Sequence, residues 1–185
     1  MKTRKLSVDL DDTLVSLVPA ILPEVNSKLG TNVTEKDVRD YYDNALFHSG
    51  LDVSALCRKA WSRPEELKLV DPKLPDMLSS LSNEYCYKIQ ITTGTVADLP
   101  CIRSCLDHNG IVGDSIVKVW GQQAKVKQEF SVHVDDLSHV ASMMNDAGKD
   151  VILLRRPWNT DIVASRGTIK VVDGWPEAYE ILRRR

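Results

Sequence analysis

The chain has 185 residues, with 24 Lys and Arg against 26 Asp and Glu and a formal net charge of −2. Hydrophobic residues at 43% and charged residues at 27% are ordinary globular usage, which excludes a disordered or fibrous chain and suits one domain with a modest insertion. The near-neutral balance excludes binding driven mainly by counterion release from nucleic acid, and aromatics at 6% argue against a single-strand stacking platform, so no extended nucleic-acid surface is expected.

In chain order, Lys5–Asp9 reads as a short buried strand that stops at acidic residues. From Leu14 to Glu84 no convincing strand follows. Helical patterns run instead from Leu14 to Leu29, from Thr34 to about Phe47, from Asp52 to Trp61 and from Pro72 to Leu81. Thr34 and Asp37 have the spacing of a capping pair, and Pro72 and Pro75 suit a helix start. Strands resume at Tyr87–Thr92, Ser115–Trp120, Phe130–Asp135 and Val151–Arg155, with a short edge strand at Ile169–Val172. Between them, helices are expected over Val96–His108, Leu137–Ala147 and Pro176–Arg183. Strands alternating with helices of this length predict an α/β fold with a doubly wound parallel sheet. The expected division is a core of residues 1–13 and 85–185 and a small helical cap of residues 14–84 over the sheet's C-terminal edge.

The basic start, Met1 to Lys5, is followed by an apolar run that ends at Asp9, too soon for a secretory signal core. No stretch approaches the roughly 18 apolar residues of a membrane span. Cys57, Cys86, Cys101 and Cys105 form no CxxC pair and no zinc spacing, which suits reduced thiols and a cytoplasmic protein with no membrane partner. Arg183-Arg184-Arg185 complements the C-terminus of the last helix.

Placed on this sheet, the polar residues converge on one edge. Asp9 and Asp11 stand at i and i+2 where the first strand ends, Thr92 ends the second, and Asp135-Asp136 end the fourth. Lys125 lies shortly before that fourth strand, and Lys127, two residues on, could do the same work. Four carboxylates around one crevice call for a cation, and hard oxygen ligands without a His/Cys cluster favour Mg2+ over zinc. A magnesium ion, an ammonium and a hydroxyl form a receptor for a phosphoryl group; one aspartate can then act as nucleophile and the other as general acid and base.

The residues that carry this chemistry also carry a resemblance. Val8-Asp9-Leu10-Asp11-Asp12-Thr13-Leu14 resembles motif I of the haloacid dehalogenase superfamily, Ile91-Thr92 motif II, Lys125 motif III and Val134-Asp135-Asp136 motif IV. The helical insertion, the paired aspartates of motif IV, Arg156-Pro157-Trp158-Asn159 and Gly174-Trp175-Pro176-Glu177 are similar to the 5′(3′)-deoxyribonucleotidase family. That resemblance implies a magnesium-dependent phosphomonoesterase whose small-molecule substrate is a nucleoside monophosphate. Asp9 is then the nucleophile and Asp11 the general acid and base, with its backbone carbonyl on magnesium. Asp136 is the direct metal ligand beside Asp9, and Asp135 acts through water. Thr92 and the backbone N–H groups of Thr93 and Gly94, where the next helix opens, would hold the phosphoryl group. Lys125 is favoured over Lys127 because its spacing to Asp135 matches the nucleotidase pattern.

Each assignment has a plainer counterpart. Asp9 could cap a following turn, Asp135 or Asp136 could cap the helix at Leu137, and Asp12 and Thr13 shape the loop. His133 reads as a packed sheet histidine rather than a ligand; His48, His108 and His139 show no partner pattern. Tyr41, Tyr42, Phe47 and Trp61 could line an apolar slot for a base or form plain core. Arg156, Trp158 and Asn159 could touch substrate or cap, or make a structural turn. A response-regulator receiver fails on motif order, and no GxxxxGK[ST] run supports a P-loop enzyme. A sugar phosphate or a nucleic-acid 3′-phosphate as substrate, or a HAD-like binding module without turnover, are the alternatives.

Overall fold

The computed structural model describes residues 3–39, 50–162 and 164–185. Six strands form one sheet of order β3-β2-β1-β4-β5-β6, every neighbouring pair parallel: β1 (Arg4–Val8), β2 (Tyr87–Thr93), β3 (Ser115–Lys118), β4 (Val132–Asp135), β5 (Val151–Leu154) and β6 (Ile169–Val172). This is the doubly wound α/β architecture expected from the alternation. The order reverses at β1, so the first crossover and the β4 return diverge there and open a crevice at the carboxyl ends of β1, β2 and β4.

Both faces of the sheet are covered, which is why its strands read as apolar runs. On one face lie α3 (Leu74–Asn83) and α7 (Trp175–Arg183), which also pack on each other; Ile152, Leu154, Val172, Trp175 and Leu182 share that core. On the other, α6 (Ser138–Asp146) packs on β5 and β6 with Val140, Ala141 and Met144 against Val151, Leu153 and Ile169, and α5 (Gln122–Val126) lies beside it. The alternation along β5 supplies both cores from four consecutive residues. The C-terminal arginines are engaged at the surface, Arg183 and Arg184 with Glu180 and Arg185 with Asp150.

The insertion after β1 contains α1 (Leu17–Leu29), a 3₁₀ turn at Glu35–Asp37, α2 (Val53–Trp61) and a second 3₁₀ turn at Pro64–Glu66. Thr34 and Asp37 do pair, with Asp37 Oδ2 accepting from Thr34 N (2.8 Å) and Oγ1 (2.6 Å), but they close one 3₁₀ turn. The rest of the helix expected to about Phe47 lies largely outside the described residues. α1 starts at Leu17 rather than Leu14 because residues 10–15 close a tight loop, with Leu14 N and Val15 N both donating to Leu10 O. The chain leaving the core and the chain returning run side by side. Ser16 N donates to Lys68 O (2.8 Å) and Val70 N to Leu14 O (3.0 Å), around a Val15–Leu69 bridge. Beyond that bridge the chain is back on the core. The stretch Leu74–Asn83, within the interval expected to form the cap, packs on β2 and α7, because Leu74, Leu78 and Leu81 on its inner side are all buried.

Leu81→Ala should destabilise the protein by about 2–5 kcal/mol. Leu81 is wholly buried between α3 and the sheet, and urea unfolding of the variant against wild type measures the loss.

Candidate active site

β1 carries Asp9 to the crevice, and the residues behind it turn sharply. Asp12 adopts φ +54, a left-handed conformation that Asp tolerates better than most residues. Its carbonyl oxygen accepts from Arg156 Nε (3.0 Å) and Nη2 (2.9 Å), and its Oδ1 accepts from Val18 N (2.9 Å) at the start of α1. Thr13 O accepts from Trp175 Nε1 (2.7 Å). The loop that bears Asp9 and Asp11 is thus clamped from behind by residues more than 140 positions away.

At the centre stands Lys125. It is 5% exposed, and its Nζ donates to Asp9 Oδ1 (2.6 Å) and Asp135 Oδ2 (3.0 Å). Lys127, the alternative, is exposed at the end of α5 and makes neither contact. Asp135 is further held by His133 Nε2 (2.8 Å) and by Leu137 N on its Oδ1 (2.9 Å). Asp136 has a separate set of partners: Thr13 Oγ1 donates to its Oδ1 (3.0 Å) and Trp158 Nε1 to its Oδ2 (2.8 Å). Asn159 Nδ2 fixes the chain below by donating to Asp136 O (2.8 Å) and Leu154 O (2.7 Å). The segment Arg156-Pro157-Trp158-Asn159 therefore holds motif loops in place instead of reaching into the crevice.

Carboxylate oxygens of Asp9, Asp135 and Asp136, all buried, lie within 4.8 Å of one another. One lysine cannot balance that charge. Burial raises the Asp9 carboxyl well above its ordinary range, against the pull of Lys125. Burial and the neighbouring Asp135 push Asp136 up to about 7. Burial acts on Asp135 too, but Lys125 and the His133 hydrogen bond outweigh it and hold this carboxyl well below the usual range. The donor set, all hard oxygen with a surplus of negative charge, fits a divalent cation such as Mg2+; Asp9 and Asp136, which both line the cavity, are the side chains placed to hold it.

Asp11 faces the same cavity from the loop. Its Oδ1 accepts from Trp61 Nε1 of the cap (3.2 Å), and burial pushes its carboxyl up to about 6. Trp61 is 1% exposed and does not line the cavity; its indole N–H steers Asp11. Tyr41, Tyr42 and Phe47, the other members of the aromatic slot considered from sequence, lie outside the described residues.

The two threonines of motif II part company. Alternation along β2 puts Gln90 and Thr92 on one face, where Thr92 Oγ1 is wholly buried, accepts from Gln90 Nε2 (2.9 Å) and lies 2.8 Å from Ser7 Oγ. Thr92, expected to bind the phosphoryl group, is not among the residues lining the cavity. Thr93, Gly94 and Thr95 are. Nor does a helix open at Gly94: α4 (Leu99–His108) starts five residues later, capped by Asp98, whose side chain accepts from Cys101 N (2.9 Å).

The cavity has a volume of about 570 Å³. Its floor is Asp9, Asp11, Thr93, Lys125 and Asp136, and its opposite wall is Leu17, Val18 and Ile21 of α1, Val38, and Val53, Ser54 and Cys57 of α2. His133 is packed in the sheet, as its alternation predicted, but it also hydrogen-bonds Asp135, which the sequence reading did not foresee. Its signal was the i, i+2 spacing to Asp135 within one strand, which places both side chains on one face.

No family model matches the sequence, and no curated protein does. Solved structures do match. A haloacid dehalogenase-like family hydrolase from Streptococcus pneumoniae superposes with a TM-score of 0.67 at 16% identity, over 97% of this chain and 98% of that one. The HAD-hydrolase YfnB from Bacillus subtilis, bound to magnesium, gives 0.60 at 17% identity over 98% and 99%. An L-2-haloacid dehalogenase gives 0.60 at 12% identity over 98% and 100%. The chain has the fold of the haloacid dehalogenase-like hydrolases, with the buried aspartate cluster at the carboxyl edge of its sheet. No described helix is long and apolar enough to cross a membrane.

Trp158→Phe keeps an aromatic ring, though a smaller one, and removes the indole N–H that orients Asp136. If the aspartate cluster holds a divalent cation, this should weaken its binding about tenfold or more, as read by calorimetric titration with Mg2+.

Proposed function

We propose that this chain is a magnesium-dependent phosphomonoester hydrolase that works through an aspartyl-phosphate on Asp9, with nucleoside monophosphates as its substrates. The observation that carries the reading is the buried ammonium of Lys125 shared by Asp9 and Asp135, with Asp11 and Asp136 facing the same cavity. Asp9 Oδ1 is taken by Lys125, which leaves Oδ2 to attack phosphorus in line. As the new O–P bond forms, the bond to the leaving oxygen breaks, and Asp11 gives that oxygen its proton. A carboxyl pushed up to about 6 can hold a proton near neutrality and release it again. Asp11 then takes a proton from water, whose oxygen attacks the aspartyl-phosphate and frees Asp9 and inorganic phosphate. Lys125 and the Thr93 hydroxyl supply donors to the phosphoryl oxygens. Magnesium, when bound by Asp9 and Asp136, supplies the positive charge that lets a dianion approach this acidic floor.

Dehalogenases share the fold, and the side chains weigh against that chemistry here. Displacement of a halide by an aspartate needs no proton donor for the leaving group, so the acid half of the role of Asp11 would go unused. A haloacid carries one carboxylate, for which three clustered acidic groups are an unsuitable receptor. The leaving-group end of the cavity favours a nucleoside over a sugar. Among the described residues its cap wall is aliphatic apart from Ser54 and Cys57, and burial raises the Cys57 thiol to about 12, which keeps it neutral. A polyhydroxylated sugar would leave hydroxyls facing that wall unpaired. The four free cysteines agree with a reducing, cytoplasmic location.

The test is a panel of dUMP, dTMP, 3′-monophosphates, sugar phosphates, 3′-phosphorylated oligonucleotides and 2-chloropropionate. Phosphate release from the mononucleotides, abolished by EDTA and restored by Mg2+, is expected; chloride release without phosphatase activity would overturn the reading. Asp9→Asn should lower kcat by at least about 10³-fold. Thr93→Ala should cost about a hundredfold in kcat, measured by steady-state phosphate release.

A further inference from the structure

Asp135 and Asp136 are adjacent, both wholly buried or nearly so, and both within reach of a shared cation. Nothing in their chemistry makes one a ligand and the other not. Their partners do. Asp136 faces the cavity. Asp135 is turned back into the sheet, where Oδ1 accepts from Leu137 N (2.9 Å) and Oδ2 accepts from both Lys125 Nζ (3.0 Å) and His133 Nε2 (2.8 Å). Three of the roughly four acceptor positions of a carboxylate are thereby filled.

The imidazole that supplies one of these bonds is fixed at its other end. His133 is 0% exposed, and its Nδ1 lies 2.9 Å from Ser7 Oγ, its register partner on β1. Ser7 Oγ lies 2.8 Å from Thr92 Oγ1, which accepts from Gln90 Nε2 (2.9 Å). A buried chain of hydrogen bonds thus crosses β2, β1 and β4 beneath the nucleophile and ends at Lys125. With Asp135 bound by its carboxylate to the strand below, the ammonium it shares with Asp9 has one place to stand.

We infer that His133 is a positioning residue: it holds Asp135 on Lys125 and away from the metal, and so sets where Lys125 meets Asp9. Its value to the enzyme rests on the phosphotransfer reading above. Without the Nε2 donor, Asp135 keeps one anchor fewer on Oδ2, can rotate toward the cation, and draws Lys125 off the nucleophile.

The conservative variants separate this role from a merely structural one. Glutamine places an amide N–H near the position of Nε2, whereas asparagine reaches only the Ser7 side. At saturating Mg2+ with p-nitrophenyl phosphate, His133→Asn should lose about tenfold to a hundredfold in kcat with KM within twofold. His133→Gln should stay within a few-fold of wild type at a similar melting temperature. In the wild type, nitrogen NMR should show a neutral imidazole protonated on Nε2, with that proton protected from solvent exchange. Equal losses in the two variants, a change in KM with kcat held, or a freely exchanging Nε2 proton would each overturn the assignment. A wild type that turns over no phosphomonoester would instead overturn the phosphotransfer reading, and the role of His133 in it.

Discussion

The ammonium of Lys125 is a single positive charge, 5% exposed, set among buried carboxylates. Isolated, any one of these ions would be too costly to bury; together they are tolerated because Lys125 stands within hydrogen-bond distance of both Asp9 and Asp135. Removing one partner from such a pair typically costs about 3–5 kcal/mol, since the other is left buried and uncompensated. The arrangement therefore resists drift. It still leaves an excess of negative charge, which suits the cluster to a divalent cation.

Two shells of support keep this centre from collapsing on itself. From behind, Arg156, Trp158, Asn159 and Trp175 grip the backbone and carboxylates of the motif loops, each through a donor aimed at a buried acceptor. From above, the cap adds Trp61 to Asp11 and an aliphatic wall to the cavity. The residues behind fix the geometry of the aspartates, and the cap shapes the cavity in front of them. Any ligand that displaces water from against this aliphatic wall strengthens the electrostatic contacts on the cavity floor.

Most of the strand positions were legible from short apolar runs ending in Asp, Thr or Gly, because burial on both faces leaves a nearly continuous apolar signature. The site was legible to the extent that its residues end strands: Asp9, Asp135 and Asp136 lie where the alternation stops. Two features were not. Thr92 and Thr93 are chemically identical, and only the pleat of β2 decides which hydroxyl meets the cavity and which one joins Ser7 and Gln90. The Pro-Trp-Asn segment contains the residue types of a binding loop, and its use as a brace depends on acceptors supplied by residues far away in the chain.

The amino-acid order alone settled the alternation of strands and helices, the edge at which the acidic residues gather and the presence of an inserted helical segment, since each follows from local periodicity and spacing. The tertiary structure alone chose Thr93 over Thr92 as the threonine lining the cavity and turned Asp135 inward, and it agrees with the spacing that favoured Lys125 over Lys127. It also returned Leu74–Asn83 to the sheet. These depend on which atoms meet across strands that are distant in the chain, and a hydrogen bond of 3 Å has no trace in sequence spacing.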